Sequence, residues 1–219
     1  MSTLAQLEAR ISNFLFDPTN LIFTTAVIDE GLRLALDEYT RLLPLTSETF
    51  ITLPGTGREI ALNGITGLTG VLDVWWPYDS TTEEWPPNRV QGFRLYWDDA
   101  QPLLILGTKT GGQPQIDDEV RVWYTKVHTI QNLDAAATTT PPAAHEGLLV
   151  LGGAGFAALS RAIDLNEDAT LNTSGTPNYA VLGSRWRREF TRQIAALSAV
   201  THLSEPWGAK GWQLDKWDT

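Results

Sequence analysis

Reactive or ligating side chains gather at few places in this 219-residue sequence. Three histidines, His128, His145 and His202, lie far apart. No pair has the i, i+4 spacing of a helical zinc site. Adjacent carboxylates occur at Asp98-Asp99 and Asp117-Asp118-Glu119. Paired acids can serve hydrolysis or Ca²⁺ binding. Here both runs fall in turns between strands, where Asp is a turn former and stays solvated. No G-x-S-x-G, P-loop or H-E-x-x-H motif is present. Residues 148–158 contain G-x-G-x-x-A after an apolar run, the outline of a dinucleotide turn. That turn needs a βαβ unit and an acidic residue about 20 positions on. The next segment is another amphipathic helix, so the unit cannot be built. The better reading is a helix whose Gly152, Gly153 and Gly155 let a neighbour approach closely, a second subunit included. The expectation is a chain without enzymatic activity, cofactor or metal.

Arg185, Arg187, Arg188 and Arg192 surround one acid, Glu189. Arg185, Arg188 and Arg192 share a helix face by their spacing of three and four. Such a row can grip phosphate, or pair with acidic side chains within the bundle or across a subunit boundary. The second reading is preferred, because 16 basic against 26 acidic residues leave a formal net charge of −10. An acidic surface disfavours general nucleic-acid binding.

Nine tryptophans are the compositional oddity. Trp75, Trp76, Trp85, Trp97 and Trp123 lie in a β-rich block, and a Trp-lined sheet is also what a carbohydrate- or peptide-binding module presents. Trp207, Trp212 and Trp217 recur every five residues near the C-terminus, with Leu214 between the last two. Five matches neither a helix face nor one side of a strand. Pro206, Gly208 and Gly211 disfavour regular structure there. An arm that docks on a partner through indole anchors fits this pattern, and so does a tail folded back on its own bundle.

The elements that must position these residues follow from periodicity. Leu4, Leu7, Ile11, Phe14 and Leu15 make one helix face, with Thr3 and Gln6 as a capping box. Asp17-Pro18-Thr19-Asn20 breaks it. A second amphipathic helix is predicted over 25–43, stopped by Pro44. Six strands are predicted over 49–53, 59–62, 67–76, 92–97, 103–106 and 119–125, with 59–62 pairing back on 49–53 and 98–102 as a hairpin loop. Helices resume over 145–165 and 178–200. The predicted fold class is α+β: a discontinuous helical bundle from 1–45 plus 143–200, an inserted antiparallel β-sandwich or barrel-like domain over 46–132, a linker over 133–142, and an extended arm over 201–219.

The sequence holds no cysteine, so disulfides and thiolate chemistry are excluded. No secretory signal is expected at the N-terminus, and no apolar run approaches the roughly 20 residues of a membrane span. A soluble chain made in a cytoplasm is the expectation.

The opening stretch resembles head–tail adaptor, or connector, proteins of tailed bacteriophages. The likeness is carried by 7–18, which closes on Phe16-Asp17-Pro18, by Phe23-Thr24-Thr25, and by the helix ending at Pro44, whose face reads Leu32-x-x-Ala35-Leu36-x-x-Tyr39. The resemblance implies a structural protein of the virion neck, assembled in host cytoplasm. It implies a homo-oligomeric ring of about twelve copies that joins the portal protein to a tail or stopper protein. Double-stranded DNA would pass through the channel without specific binding. It also gives the arm with Trp207, Trp212, Leu214 and Trp217 a receiver, the portal, and makes Gly152, Gly153, Gly155, Arg185, Arg188 and Arg192 candidates for subunit packing.

Overall fold

The structure is a computed structural model. It describes residues 2–79, 81, 88–90, 92–99, 101–107, 112–167 and 178–204, with side chains as far as 164 and 199 in the last two helices. Helices α1 (Leu4–Phe14) and α2 (Thr25–Leu42) come first. Strands β1 (Leu45–Thr52), β2 (Glu59–Ala61), β3 (Leu68–Tyr78), β4 (Phe93–Asp98), β5 (Gln101–Leu106) and β6 (Glu119–Lys126) follow. Helices α3 (Glu146–Glu167) and α4 (Tyr179–Ser204) close the order. The chain is α+β, with two small antiparallel sheets. It divides into two compact units. Unit 1 is Met1–Leu43 with His128–Thr219, and unit 2 is Pro44–Val127.

Unit 1 is built around α3. Its core gathers Leu7 and Ile11 of α1, Ile28, Leu32, Ala35 and Tyr39 of α2, Leu149, Ala154 and Ala157 of α3, and Phe190 and Ile194 of α4. Residues two apart on a helix point about 200° apart, so α3 can meet two helices through successive small residues. Gly153 faces α2: a Cβ on Gly31 would stand 2.6 Å from the Gly153 carbonyl oxygen. Gly155 faces α4: a Cβ on Gly183 would stand 2.8 Å from the Gly155 carbonyl oxygen. A Cβ on Gly152 would press on the Phe190 ring at 2.9 Å. Gly152, Gly153 and Gly155, expected to let a neighbour approach closely, do so here for helices of their own chain. All three are buried. The same stretch corrects the expectation on apolar runs. Ala143–Asp164 is long and apolar enough to cross a membrane by length and composition, with mean hydropathy 1.3, although half of it is buried inside the molecule.

The segment read as a linker, together with the residues before it, packs into unit 1. Ile130 and Leu133 join the core. The Gln131 N–H donates to Thr139 Oγ1 at 2.9 Å, and the Thr139 hydroxyl donates to the Ser2 carbonyl at 2.8 Å. Small and Thr-rich composition here serves hydrogen bonding across a tight crossing. Glu146 opens α3 by accepting from the Ser2 N–H at 2.6 Å, the Ser2 hydroxyl at 2.7 Å and Arg10 at 3.0 Å. The helix 178–200 continues to Ser204, so the segment expected as an arm begins as the last turn of α4.

His128 secures the base of α2. Its N–H donates to Thr40 Oγ1 at 3.1 Å, and its ring contacts the Leu43 carbonyl through Nε2 at 2.9 Å and Thr140 Oγ1 through Nδ1 at 2.9 Å. A carbonyl can only accept, so Nε2 carries the proton and Nδ1 accepts from the threonine. On its other side Tyr39 lies edge-on to His128, and its hydroxyl meets His145 Nδ1 at 2.6 Å. Two of the scattered histidines are thus brought to one tyrosine, as packing partners. Burial first, with the nearby His145, holds His128 below the ordinary value of 6.5, against the pull of the Leu43 carbonyl. The unfolded chain therefore takes up this proton first as pH falls. The His128 contribution to stability is complete above 6.5 and is lost as pH drops toward the depressed folded value, with a slope of at most about 1.4 kcal/mol per pH unit. Urea unfolding followed at pH 7.5 and 5.5 should show that loss, and His128→Asn should flatten it.

Unit 2 holds the sheets β1-β6-β3 and β2-β5-β4. They share one core that includes Val74, Trp76, Val120, Val122 and Tyr124 from the first and Ile60, Leu104 and Leu106 from the second. β4 and β5 form the expected hairpin, from Phe93 opposite Leu106 to Asp98 opposite Gln101. The pairing expected for β2 is corrected: it joins β5, with Glu59 opposite Ile105, whereas all eight residues of β1 pair with β6. Leu53 prolongs that β1–β6 ladder through Asp117 and Asp118. The chain therefore leaves the first sheet at 54–57 without folding back on β1.

Candidate functional site

The α1–α2 connection is a built loop with apolar side chains turned to water. Asp17 is buried, and its carboxylate accepts from the N–H groups of Leu21 at 3.1 Å, Ile22 at 2.8 Å and Phe23 at 2.8 Å. Burial pushes the Asp17 carboxyl up, but the three backbone donors outweigh it and hold it below the ordinary carboxylate value. The Ser12 hydroxyl donates to Asn20 Oδ1 at 2.5 Å, locking the turn from the other side. Phe16 and Asn20 both sit at positive φ, 58° and 53°. This costly backbone aims Phe16 (92% exposed) and Leu21 (83% exposed) outward, with Ile22 beside them. Phe23 goes the other way, into the core, edge-on to Tyr179 at the start of α4. Phe14 meets Trp186 edge-on at 5.0 Å. A rigid loop that spends a buried carboxylate on displaying two large apolar side chains has the character of a docking point.

The arginine row is divided by its surroundings. Arg187, off that row, reaches Glu38 of α2 at 3.7 Å and lies over the Phe156 ring. Arg192 pairs with Glu189 of its own helix at 2.6 Å, and Arg188 donates to the Ser184 carbonyl. Arg192, through two hydrogen bonds, and then Gln193 bring Glu189 down to about 2. Arg185, Arg188 and Arg192 are all exposed.

The tryptophan block resolves into core and surface. Trp76 is buried and donates to Asp118 at 3.1 Å, which gives that turn acid a structural task. Trp75 and Trp123 stand on the face of the first sheet that turns away from the core. There the Arg121 guanidinium lies 4.8 Å from the Trp75 ring, 4.9 Å from Trp123, 5.3 Å from Phe50 and 5.4 Å from Tyr78. It also pairs with Glu48 at 2.6 Å. The ring faces that a sugar would stack on are engaged by the chain's own cation. Trp85, Trp207, Trp212, Leu214 and Trp217 lie outside the described residues.

The chain is similar to solved chains from the necks of gene transfer agent particles. One comes from the neck of an empty particle computed with C6 symmetry: 17% identity, 84% of this chain and 88% of that chain covered, TM-score 0.32. Another comes from the neck of a native particle computed with C12 symmetry: 14% identity, 85% and 92% covered, TM-score 0.31. No protein-family model and no curated protein matches the sequence.

Sequence reasoning places the helix break at 17–20 and misses what the break displays. The signal is there in hindsight. Phe16, Leu21 and Ile22 fall outside both helix stripes, in a loop, next to an Asp that can reach three successive N–H groups. The Arg121 cluster is also missed. A lone arginine in a strand says nothing until register sets Phe50 and Trp75 opposite it.

Proposed function

We propose that the chain is a structural adaptor of a phage-like virion neck, acting by assembly. Copies form a ring, of about twelve, that joins portal to tail or stopper protein and continues the DNA channel. Unit 2 is read as a small two-sheet sandwich, and the segment 205–219 as the arm that takes the portal through Trp207, Trp212, Leu214 and Trp217. The observation that carries the reading is the Asp17 loop, which turns Phe16 and Leu21 outward, 92% and 83% exposed among the described residues. The resemblance of 7–44 to adaptor proteins supports it independently. A net charge of −10 suits a channel wall that must not grip passing phosphates.

The test is mass measurement of the full chain, alone and with the portal protein of the same particle. Rings and a stable portal complex are expected. Removing 205–219 should leave the helical and sheet signals intact and abolish portal binding, whereas a chain that stays single and ignores the portal refutes the reading.

A further inference from the structure

We propose that the chain associates head to tail, the outer face of α4 in one copy seating antiparallel on the outer face of α2 in the next. The two faces are different surfaces of unit 1. On α4, Val181, Arg185, Arg188 and Arg192 are exposed, while Phe190 and Ile194 face the core. On α2, Glu30, Leu34 and Asp37 are exposed, while Gly31 and Ala35 face α3. Within the chain α4 touches α2 through Arg187 and Thr191, both on Glu38. Arg185 and Asp37 have no hydrogen-bond or ion-pair partner among the described residues.

The spacing of the faces matches. Glu30 and Asp37 are seven residues apart on α2, as are Arg185 and Arg192 on α4, and seven residues of helix rise about 10.5 Å. Laid antiparallel, Arg185 meets Asp37 and Arg192 meets Glu30. Leu34 then falls opposite the aliphatic stem of Arg188, because each lies between its neighbours at the corresponding height. Val181 (60% exposed) and Leu34 (42% exposed) contribute the apolar area of the contact. Glu30 and Arg192 hold partners already, Arg33 at 3.2 Å and Glu189 at 2.6 Å. Those are exposed pairs three residues apart, which exchange at little cost. Two different patches that fit each other make a heterologous contact, which closes into a ring when the rotation allows. Closure rests on the neck reading, but the contact itself does not.

The test is charge reversal in the full chain, read by native mass spectrometry and sedimentation at low and high salt. Arg185→Glu alone and Asp37→Arg alone should each raise the concentration for half-assembly by on the order of tenfold. The double variant should recover assembly. All three should keep the wild-type circular dichroism, since both positions are exposed. Single variants that assemble like wild type, or a double variant no better than the worse single, overturn the contact. If rings persist through every variant, the neck reading stands and this interface falls. A wild-type chain that remains a monomer at every concentration and salt overturns both.

Discussion

Phe190→Ala should destabilise unit 1 by about 3–5 kcal/mol. Phe190 is 0% exposed. Its ring lies where a Cβ on Gly152 would touch it at 2.9 Å, with the Ala35 methyl 3.0 Å from the same point. The ring therefore fills the junction of α2, α3 and α4. Around it the helices already meet through glycines, so they cannot close further to heal a cavity. Stability of a domain is of order 5–15 kcal/mol in total, so this one substitution removes a large share. The measurement is guanidinium unfolding followed at 222 nm, which reports the helices. The midpoint should fall steeply, while near-ultraviolet signals from Trp75 and Trp123 in unit 2 keep theirs. A loss below 1 kcal/mol would show that Phe190 does not occupy that junction. Phe190→Leu should recover most of the loss.

Asp17→Ala should cost about 2–4 kcal/mol and cut partner binding with it. The substitution leaves the N–H groups of Leu21, Ile22 and Phe23 without the carboxylate they share. Hydrogen bonds to a charged group contribute more than neutral ones, and leaving buried donors unmade is the expensive outcome. Phe23 is fully buried, so loosening its backbone weakens the core contact with Tyr179 as well. Asp17→Asn keeps one acceptor oxygen and should lose about half as much. The sign of the pH dependence is set by the lowered carboxyl. The unfolded carboxyl titrates near 3.8 and the folded one below it. The Asp17 contribution is complete above that unfolded value and disappears as pH falls through the folded one. The Asp17→Ala protein should lack this acid-sensitive part. Phe16→Ser with Leu21→Ser gives the complementary result. Both side chains are exposed, so stability should hold while binding of neck partners falls. Equal binding by that double variant would remove the loop from the docking role.

Several features were legible before any coordinates. The stripe Leu7-Ile11 with the Thr3–Gln6 cap, the stripe Ile28-Leu32-Ala35-Leu36-Tyr39, and the stop at Pro44 each follow from local rules, and all three appear as helices or their ends. Alternation over 119–125 also sufficed to place β6, because a strand that is buried on one face must repeat every two residues. What local rules could not supply was the partner of each face. The glycines of α3 announce close approach, but a sequence cannot say whether the neighbour is the same chain or another. Only the assembled bundle set Gly153 against Gly31 and Gly155 against Gly183.

The chain itself therefore determined which stretches become helix and which become strand, how acidic the molecule is, and that no catalytic motif is present, since each depends on residue type or on neighbours a few positions away. The tertiary structure decided which strands pair, which of four arginines is spent internally, where Arg121 finds its four rings, and that Asp17 turns Phe16 and Leu21 outward. Those outcomes depend on contacts between residues far apart in sequence, and such contacts exist only once the backbone has folded and brought those residues together.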